Sequence, residues 1–314
     1  MAIEGVMRVG QVQLRVMDMA AALRHYTEYI GLQEVCRDAN RVYLKAWDEF
    51  DHHSLILRES DDPGLDHFAF KVRNDADLDR IEGELRERAI GVNHIAAGDQ
   101  PGIGRRISFV IPTGHRIELY AHAEIVGNGL PTRNPDVWPD GLRGMKPCRL
   151  DHGLLYGPNV AETTRLFKDV LGFGVTEEVV TEDGAQIAVW LACANKSHDI
   201  AFVSAPETRF HHVAFFLESW EDVKTAADII AKKKIALDIG PTRHGITRGY
   251  TIYFFDPSGN RNEVFSGGYA YFPDRPTIQW DASELGRAIF YYEGRLNEAF
   301  LSVTTSGTTE LVPS

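Results

Sequence analysis

LDHFAFKV (Leu65–Val72) and ISFVIPTGHRIELY (Ile107–Tyr120) return later in the chain as FHHVAFFL (Phe210–Leu217) and TIYFFDPSGNRNEVF (Thr251–Phe265). Both returns lie 145 residues on (212 − 67 and 263 − 118). Working outward, GQVQLRV (Gly10–Val16) matches DHGLLYG (Asp151–Gly157), and YTEYIGL (Tyr26–Leu32) matches LFKDVLGF (Leu166–Phe173). The offset there is 141 (172 − 31), so the two copies differ by four residues in length. Ordered matches at a nearly constant offset mark an internal duplication of about 145 residues.

Within each copy the hydrophobic period switches from strand to helix and back to strands. Met17–Ile30, Asp75–Ala89, Val160–Leu171 and Trp220–Lys232 place apolar residues at three- and four-residue steps and are predicted as helices. VYLKAW, SLILRE, AVWLA and TIYFF are strands between turn residues. PTGH and DPSGN are hairpin turns with Pro and Gly in place, and Gly31 and Gly172 end helices. The implied class is α+β, with two tandem domains, each of two βαβββ modules forming an open mixed-sheet barrel. The stretch Val126–Pro147, rich in Gly and Pro, reads as the connection. The boundaries drawn are a non-catalytic repeat over 1–130, a linker over 131–147, a catalytic metal-binding repeat over 148–280, and a helix and tail over 281–314. In the last piece Ser283–Tyr292 is predicted helical and TTSGTTELVPS frayed.

Composition narrows the function class. The chain has 314 residues, 44% hydrophobic and 25% charged, enough to bury a core. With 33 Lys plus Arg against 45 Asp plus Glu the net charge is −12, which repels phosphate backbones and argues against nucleic acid. No apolar run reaches membrane-spanning length and MAIEGVMRVG lacks the pattern of a signal peptide, so neither a membrane nor export is expected. Three widely spaced cysteines with no CxxC pair speak against a disulfide scaffold and a thiolate zinc cluster, and cytoplasmic residence is expected.

The two copies differ where chemistry would sit. His152 opens the second copy, His212 lies on a middle strand and Glu263 on a late one; the first copy has Gln11, His67 and Glu118 there. Two imidazoles and a carboxylate are the facial triad of non-haem Fe(II) sites. Gln is a poor ligand, so a working centre is expected in the second copy alone. Satisfied strand histidines are the bland alternative. Adjacent strand residues face opposite sides, so of His211 and His212 only the latter, aligned with His67, is taken as a ligand; His211 faces elsewhere or supports its neighbour.

GPTRHGITRGYTIYFFDPSGNRNEVFSGG (Gly240–Gly268), LDHGLLYG (Leu150–Gly157) and RFHHVAFFLE (Arg209–Glu218) resemble the type I extradiol ring-cleavage dioxygenases of the vicinal oxygen chelate superfamily. GQVQLRVMDMAAALRHYTEYIGL and RVYLKAWDEFDHHSLILRE extend the resemblance, within that family to its catechol 2,3-dioxygenases, over nearly the whole chain. The resemblance implies metal ligands at His152, His212 and Glu263, and catalytic residues at His198, His244 and Tyr253. It implies a substrate pocket lined by Trp190, Val203, Ile246, Ile289 and Phe300, with core packing as the competing reading of each. Further implications are Fe(II), with Mn(II) as the alternative, a catechol and O2 as substrates, 2-hydroxymuconic semialdehyde as product, and a homotetramer. Tyr253 and His244 would hydrogen-bond the substrate oxygens and pass a proton at ring opening; His198 would face dioxygen. His53 stands where the first copy would have His198, but Asp99 and Ser108 replace His244 and Tyr253. A metal-dependent isomerase of the glyoxalase type, using Gln11 as a ligand, and a non-catalytic small-molecule binding protein are the competing functions.

Overall fold

The computed structural model describes residues 5–307 and folds them as four βαβββ modules. The first is β1 (Val6–Val16), α1 (Met19–Arg24), β2 (Gln33–Arg37), β3 (Arg41–Lys45) and β4 (Leu55–Glu59). The second is β5 (Gly64–Val72), α2 (Asp75–Glu87), β6 (Val92–Ile95), β7 (Arg106–Val110) and β8 (Arg116–Tyr120). The third is β9 (Arg149–Gly157), α3 (Val160–Asp169), β10 (Gly174–Val180), β11 (Gln186–Ala192) and β12 (Ile200–Ser204). The fourth is β13 (Arg209–Phe216), α4 (Trp220–Lys233), β14 (Leu237–Arg243), β15 (Gly249–Phe255) and β16 (Arg261–Gly267). β17 (Ile278–Asp281), α5 (Leu285–Ile289), α6 (Glu298–Ser302) and β18 (Thr305–Ser306) follow.

Each half is an open mixed sheet with the same order. The first runs β2-β3-β4-β1-β5-β8-β7-β6, with β1 antiparallel to β5 at the centre and parallel pairs β1–β4 and β5–β8 beside it. The second repeats this as β10-β11-β12-β9-β13-β16-β15-β14. The register repeats too. Gln11 faces Ala69, which faces Glu118, and His152 faces Ala214, which faces Glu263. Asp18, Asn74 and Ser219 cap α1, α2 and α4 by accepting from amides of the first turn. The apolar face of α2, Leu78, Ile81 and Leu85, is buried. One apolar core runs through both halves, with Phe70 of the first meeting Phe173 of the second at 5.2 Å between ring centroids. Among the described residues no helix is long and apolar enough to cross a membrane.

Three expectations change. The first helix starts at Met19, two residues late, and after Arg24 it widens into a π-helix, His25–Ile30. That turn buries His25 and Tyr26 together against the second half, where His25 Nε2 donates to Asn262 Oδ1 (3.2 Å) and the Tyr26 hydroxyl to Asp256 (3.0 Å). Gly31 ends it at φ 99°, and a Cβ there would lie 2.0 Å from the Arg143 carbonyl oxygen. The helix expected over Ser283–Tyr292 is a 3₁₀ turn, Ala282–Glu284, followed by α5. Phe290 leaves helical geometry (φ −123°, ψ 86°), and its buried ring packs on Phe300. The end of the chain is not frayed at Thr305–Ser306. β18 pairs antiparallel with Arg209–Phe210 of β13, and Ser306 pairs with Gly64 of β5, so two residues stitch the halves together. Residues 308–314 of the expected frayed tail lie outside the described residues.

Candidate metal centre

Three adjacent strands build the site. His152 (β9), Ala214 (β13) and Glu263 (β16) lie in one row across the sheet, and His212 stands two residues before Ala214 on the same face. The small Ala214 side chain leaves the space between the polar ones open. His152 Nε2 lies 3.0 Å and His212 Nε2 3.1 Å from the same oxygen, Glu263 Oε2. The three ligand atoms fall within 4.8 Å of one another, and all three residues are buried. The other carboxylate oxygen, Oε1, accepts from the Thr251 hydroxyl at 2.5 Å.

His152 Nδ1 donates to Asp151 (3.1 Å), which directs Nε2 at the centre, where it meets Glu263. Asp151 also accepts from Arg149 (2.8 Å) and pairs with Lys196 (3.1 Å), and Lys196 reaches Asp199 (3.1 Å). Burial alone would raise the Asp151 carboxyl, but Lys196 and His152 hold it well below the usual range. His244 Nδ1 donates to the Ile289 carbonyl, so its Nε2 accepts from the Tyr253 hydroxyl at 2.8 Å. His198 lies over the His152 ring, 3.9 Å between centroids. Burial first, then His152 and Lys196, push His198 well below the histidine range. His212 is pushed down to about 4 by burial, with Glu263 opposing. Burial would raise Glu263, but hydrogen bonds from His152 and His212 hold it far below its ordinary value.

One cavity collects these groups. His152, His198, His212, His244, Tyr253 and Glu263 share it with Trp190, Ile246, Ile289 and Phe300. Val203 does not line it. It stands opposite Ala188 and Tyr156, on the same sheet face as Trp190 and Leu154 but farther along the strands, and packs in their apolar cluster. Leu154, Phe265 and Thr247 line the cavity unforeseen. Leu154 and Phe265 stand two residues after His152 and Glu263, so the strand period alone would have found them. Thr247 and its neighbour Arg248 lie on a loop at φ 57° and 64°, where no period operates. The buried Glu177 holds this loop by accepting from the Thr247 amide (2.6 Å), and it also accepts from Tyr269 and Trp280 (2.8 Å each). Adjacent residues were expected to point apart, yet His211 Nδ1 lies 2.7 Å from His212 Nδ1. A β-bulge between Phe210 and His212 is the cause.

Residues 65–124 match the catechol 2,3-dioxygenase-like N-terminal domain, and residues 149–264 match the glyoxalase/bleomycin resistance protein/dioxygenase superfamily. The chain is 50% identical over 305 residues, 96% of its length and 99% of the relative's, to a metapyrocatechase of Pseudomonas sp. (strain CF600). It is 30% identical to a manganese-dependent 2,3-dihydroxybiphenyl 1,2-dioxygenase of Geobacillus genomosp. 3, over 91% of this chain and 94% of that one. The crystal structure of the 2,3-dioxygenase LapB from Pseudomonas sp. KL28 superposes with a TM-score of 0.87 at 46% identity, covering 89% of this chain and 99% of that one.

Proposed function

The chain belongs to the extradiol ring-cleaving dioxygenases, and we propose that it cleaves catechol or a substituted catechol with O2 next to the diol, giving a 2-hydroxymuconic semialdehyde. The observation that carries this reading is the convergence, in one buried cavity, of a two-His, one-carboxylate set with a Tyr253–His244 proton pair and an apolar wall.

The donor set fits a divalent ion. Glu263 is a buried carboxylate whose partners are imidazoles and one hydroxyl, with no Lys or Arg against it among the described residues. A buried anion so placed calls for a cation from outside. Two nitrogens and a hard oxygen without thiolate suit Fe(II), and Mn(II) as well. His152, His212 and Glu263 would hold the ion. The bound ion supplies Lewis acidity that lowers the pKa of a catechol hydroxyl and a place where diol and dioxygen meet.

The remaining steps belong to the side chains. With Nδ1–H committed to the Ile289 carbonyl, His244 offers the Nε2 lone pair as a base for a substrate hydroxyl proton. The Tyr253 hydroxyl, now donating to that lone pair, turns to hydrogen-bond the substrate oxygen, and the pair returns the proton when the ring opens. His198, kept neutral by burial over His152, takes the second hydroxyl proton and donates toward charge developing on dioxygen. Trp190, Ile246, Ile289 and Phe300 hold the ring and exclude water. The geometry does not favour an isomerase reading through Gln11, because Glu118, the carboxylate of that copy, already pairs with the Arg106 guanidinium (2.8 Å). On our reading the enzyme works in the cytoplasm as a homotetramer. Trp138 and Val137, 65% and 79% exposed in the single chain, favour assembly, which sedimentation checks.

The test is protein loaded with Fe(II) without oxygen, then given catechol in air. Yellow product with stoichiometric oxygen uptake is expected; absence of both overturns the reading. Parallel loading with Mn(II) decides the metal.

A further inference from the structure

His212 is not held by its own strand alone. Its Nδ1 meets His211 Nδ1 at 2.7 Å, and His211 Nε2 meets the carbonyl oxygen of Phe300 at 2.8 Å. That carbonyl is free because α6 stops at Ser302 and Val303 turns extended (φ −79°, ψ 109°), so no next turn supplies an amide. A carbonyl only accepts, so the His211 proton sits on Nε2. A neutral imidazole carries one proton, so His211 Nδ1 is a lone pair, placed to accept from His212 Nδ1. Without an ion the Glu263 carboxylate, 3.1 Å away, draws the His212 proton to Nε2 instead; a metal on Nε2 would need the lone pair there, so the proton would then sit on Nδ1 and be accepted by His211.

We infer that His211 is a positioning residue that couples the docked C-terminal segment to the metal ligand: seating Phe300 favours the His212 tautomer with its proton on Nδ1, the one a metal needs, and a metal on His212 in turn holds Phe300 in place. The inference rests on the reading of the centre as a metal site.

Two further observations support it. The same segment closes the cavity, for the Phe300 ring lines it and packs on Tyr253 at 4.8 Å. Its other anchors touch no ligand: Arg209 binds Thr304, Arg261 binds the Val303 carbonyl (2.8 Å), and β18 pairs with β13. His211 is the contact that joins segment to centre. The first half has a carboxylate, Asp66, at this position instead of an imidazole, engaged by Gln13, Arg15 and Arg58.

Two variants separate the relay from packing. His211→Phe keeps a ring between Tyr156 (4.9 Å) and Phe300 (4.7 Å) but removes both hydrogen bonds. His211→Gln loses the ring but retains a donor for the carbonyl and an acceptor for His212. The probe is Mn(II), with its release into chelator followed directly. His211→Phe is expected to release Mn(II) about 10- to 100-fold faster than wild type, with His211→Gln close to wild type. Amide hydrogen exchange over residues 299–304 gives a second readout. Mn(II) should slow it in wild type and His211→Gln and leave it unchanged in His211→Phe. Exchange in wild type that ignores Mn(II), or a His211→Phe protein that holds Mn(II) as wild type does, overturns the inference alone. Wild type that takes up neither Mn(II) nor Fe(II) overturns the metal reading and the inference with it.

Discussion

The two halves place the same buried carboxylate in the same register and neutralise it differently. In the first half Glu118 meets Arg106, whose Nε lies 2.8 Å from Oε2 and whose Nη2 reaches Asp99 at 2.7 Å; His67 stands 3.6 Å away. In the second half the residue equivalent to Arg106 is Thr251, which offers Glu263 a hydroxyl and no charge. One half sets a guanidinium against its carboxylate; the other, among the described residues, sets none. On the metal reading proposed above, Gln11 in place of a His ligand is only part of what would keep an ion out of the first half; the guanidinium occupies the electrostatic role that the metal would fill.

The largest expected effects come from removing each carboxylate. Glu263→Gln should abolish metal uptake and activity, while the metal-free protein should lose less stability than Glu118→Gln, since no Lys or Arg is left buried without its partner. Glu118→Gln should leave metal content and turnover near wild type but cost about 3–5 kcal/mol in urea unfolding, because Arg106 then stays buried with only the half-exposed Asp99. Equal effects of both changes on metal content would break the comparison. Thr251→Arg puts the first half's solution into the second. It should yield folded protein with metal content near zero by elemental analysis, and a protein that still binds metal would show the guanidinium to be incidental.

Smaller losses should follow at the proton pair. His244→Phe and Tyr253→Phe lie outside the ligand set and should retain metal while slowing ring opening by about 10²- to 10⁴-fold in single-turnover absorbance. Falling metal content in either would place them among the ligands instead. Their counterparts Asp99 and Ser108 should tolerate Asn and Ala with unchanged turnover.

How much of this was legible in the sequence depends on the range of the interaction. The modules, the row from His152 to Glu263 and the asymmetry at Gln11 are written in spacing, because strand period and repeat offset carry residues to fixed places. The role of Arg106 was not, since only its long side chain reaching along the sheet brings it to Glu118. The bulge at His211, the π-turn at His25 and the two-residue strand Thr305–Ser306 were also hidden. Each exists because a distant segment supplies a partner, and no local pattern records that partner. Val203 shows the converse: strand and face are right, but its place along the strand, opposite Tyr156 rather than Leu154, carries it past the cavity.

The smallest effect concerns the seam between the halves and follows from two neutral histidines. His25 donates to Asn262 across it, and His115 Nε2 donates to the Arg209 carbonyl (3.0 Å). Burial pushes both down to about 4, with those hydrogen bonds opposing. In the unfolded chain each titrates near 6.5, so between about pH 6.5 and 4 the unfolded state binds the extra protons. Stability from the neutral rings is therefore complete above pH 6.5 and declines as pH falls toward 4. Lowering the pH from 7 to 5.5 should cost about 1 kcal/mol for each histidine. His115→Gln, which keeps a donor for the Arg209 carbonyl but cannot titrate, should remove its share of that slope in urea unfolding of the metal-free protein. A slope unchanged in His115→Gln would move the acid sensitivity from the seam to the centre itself, where Glu263 and its two imidazoles would have to account for it.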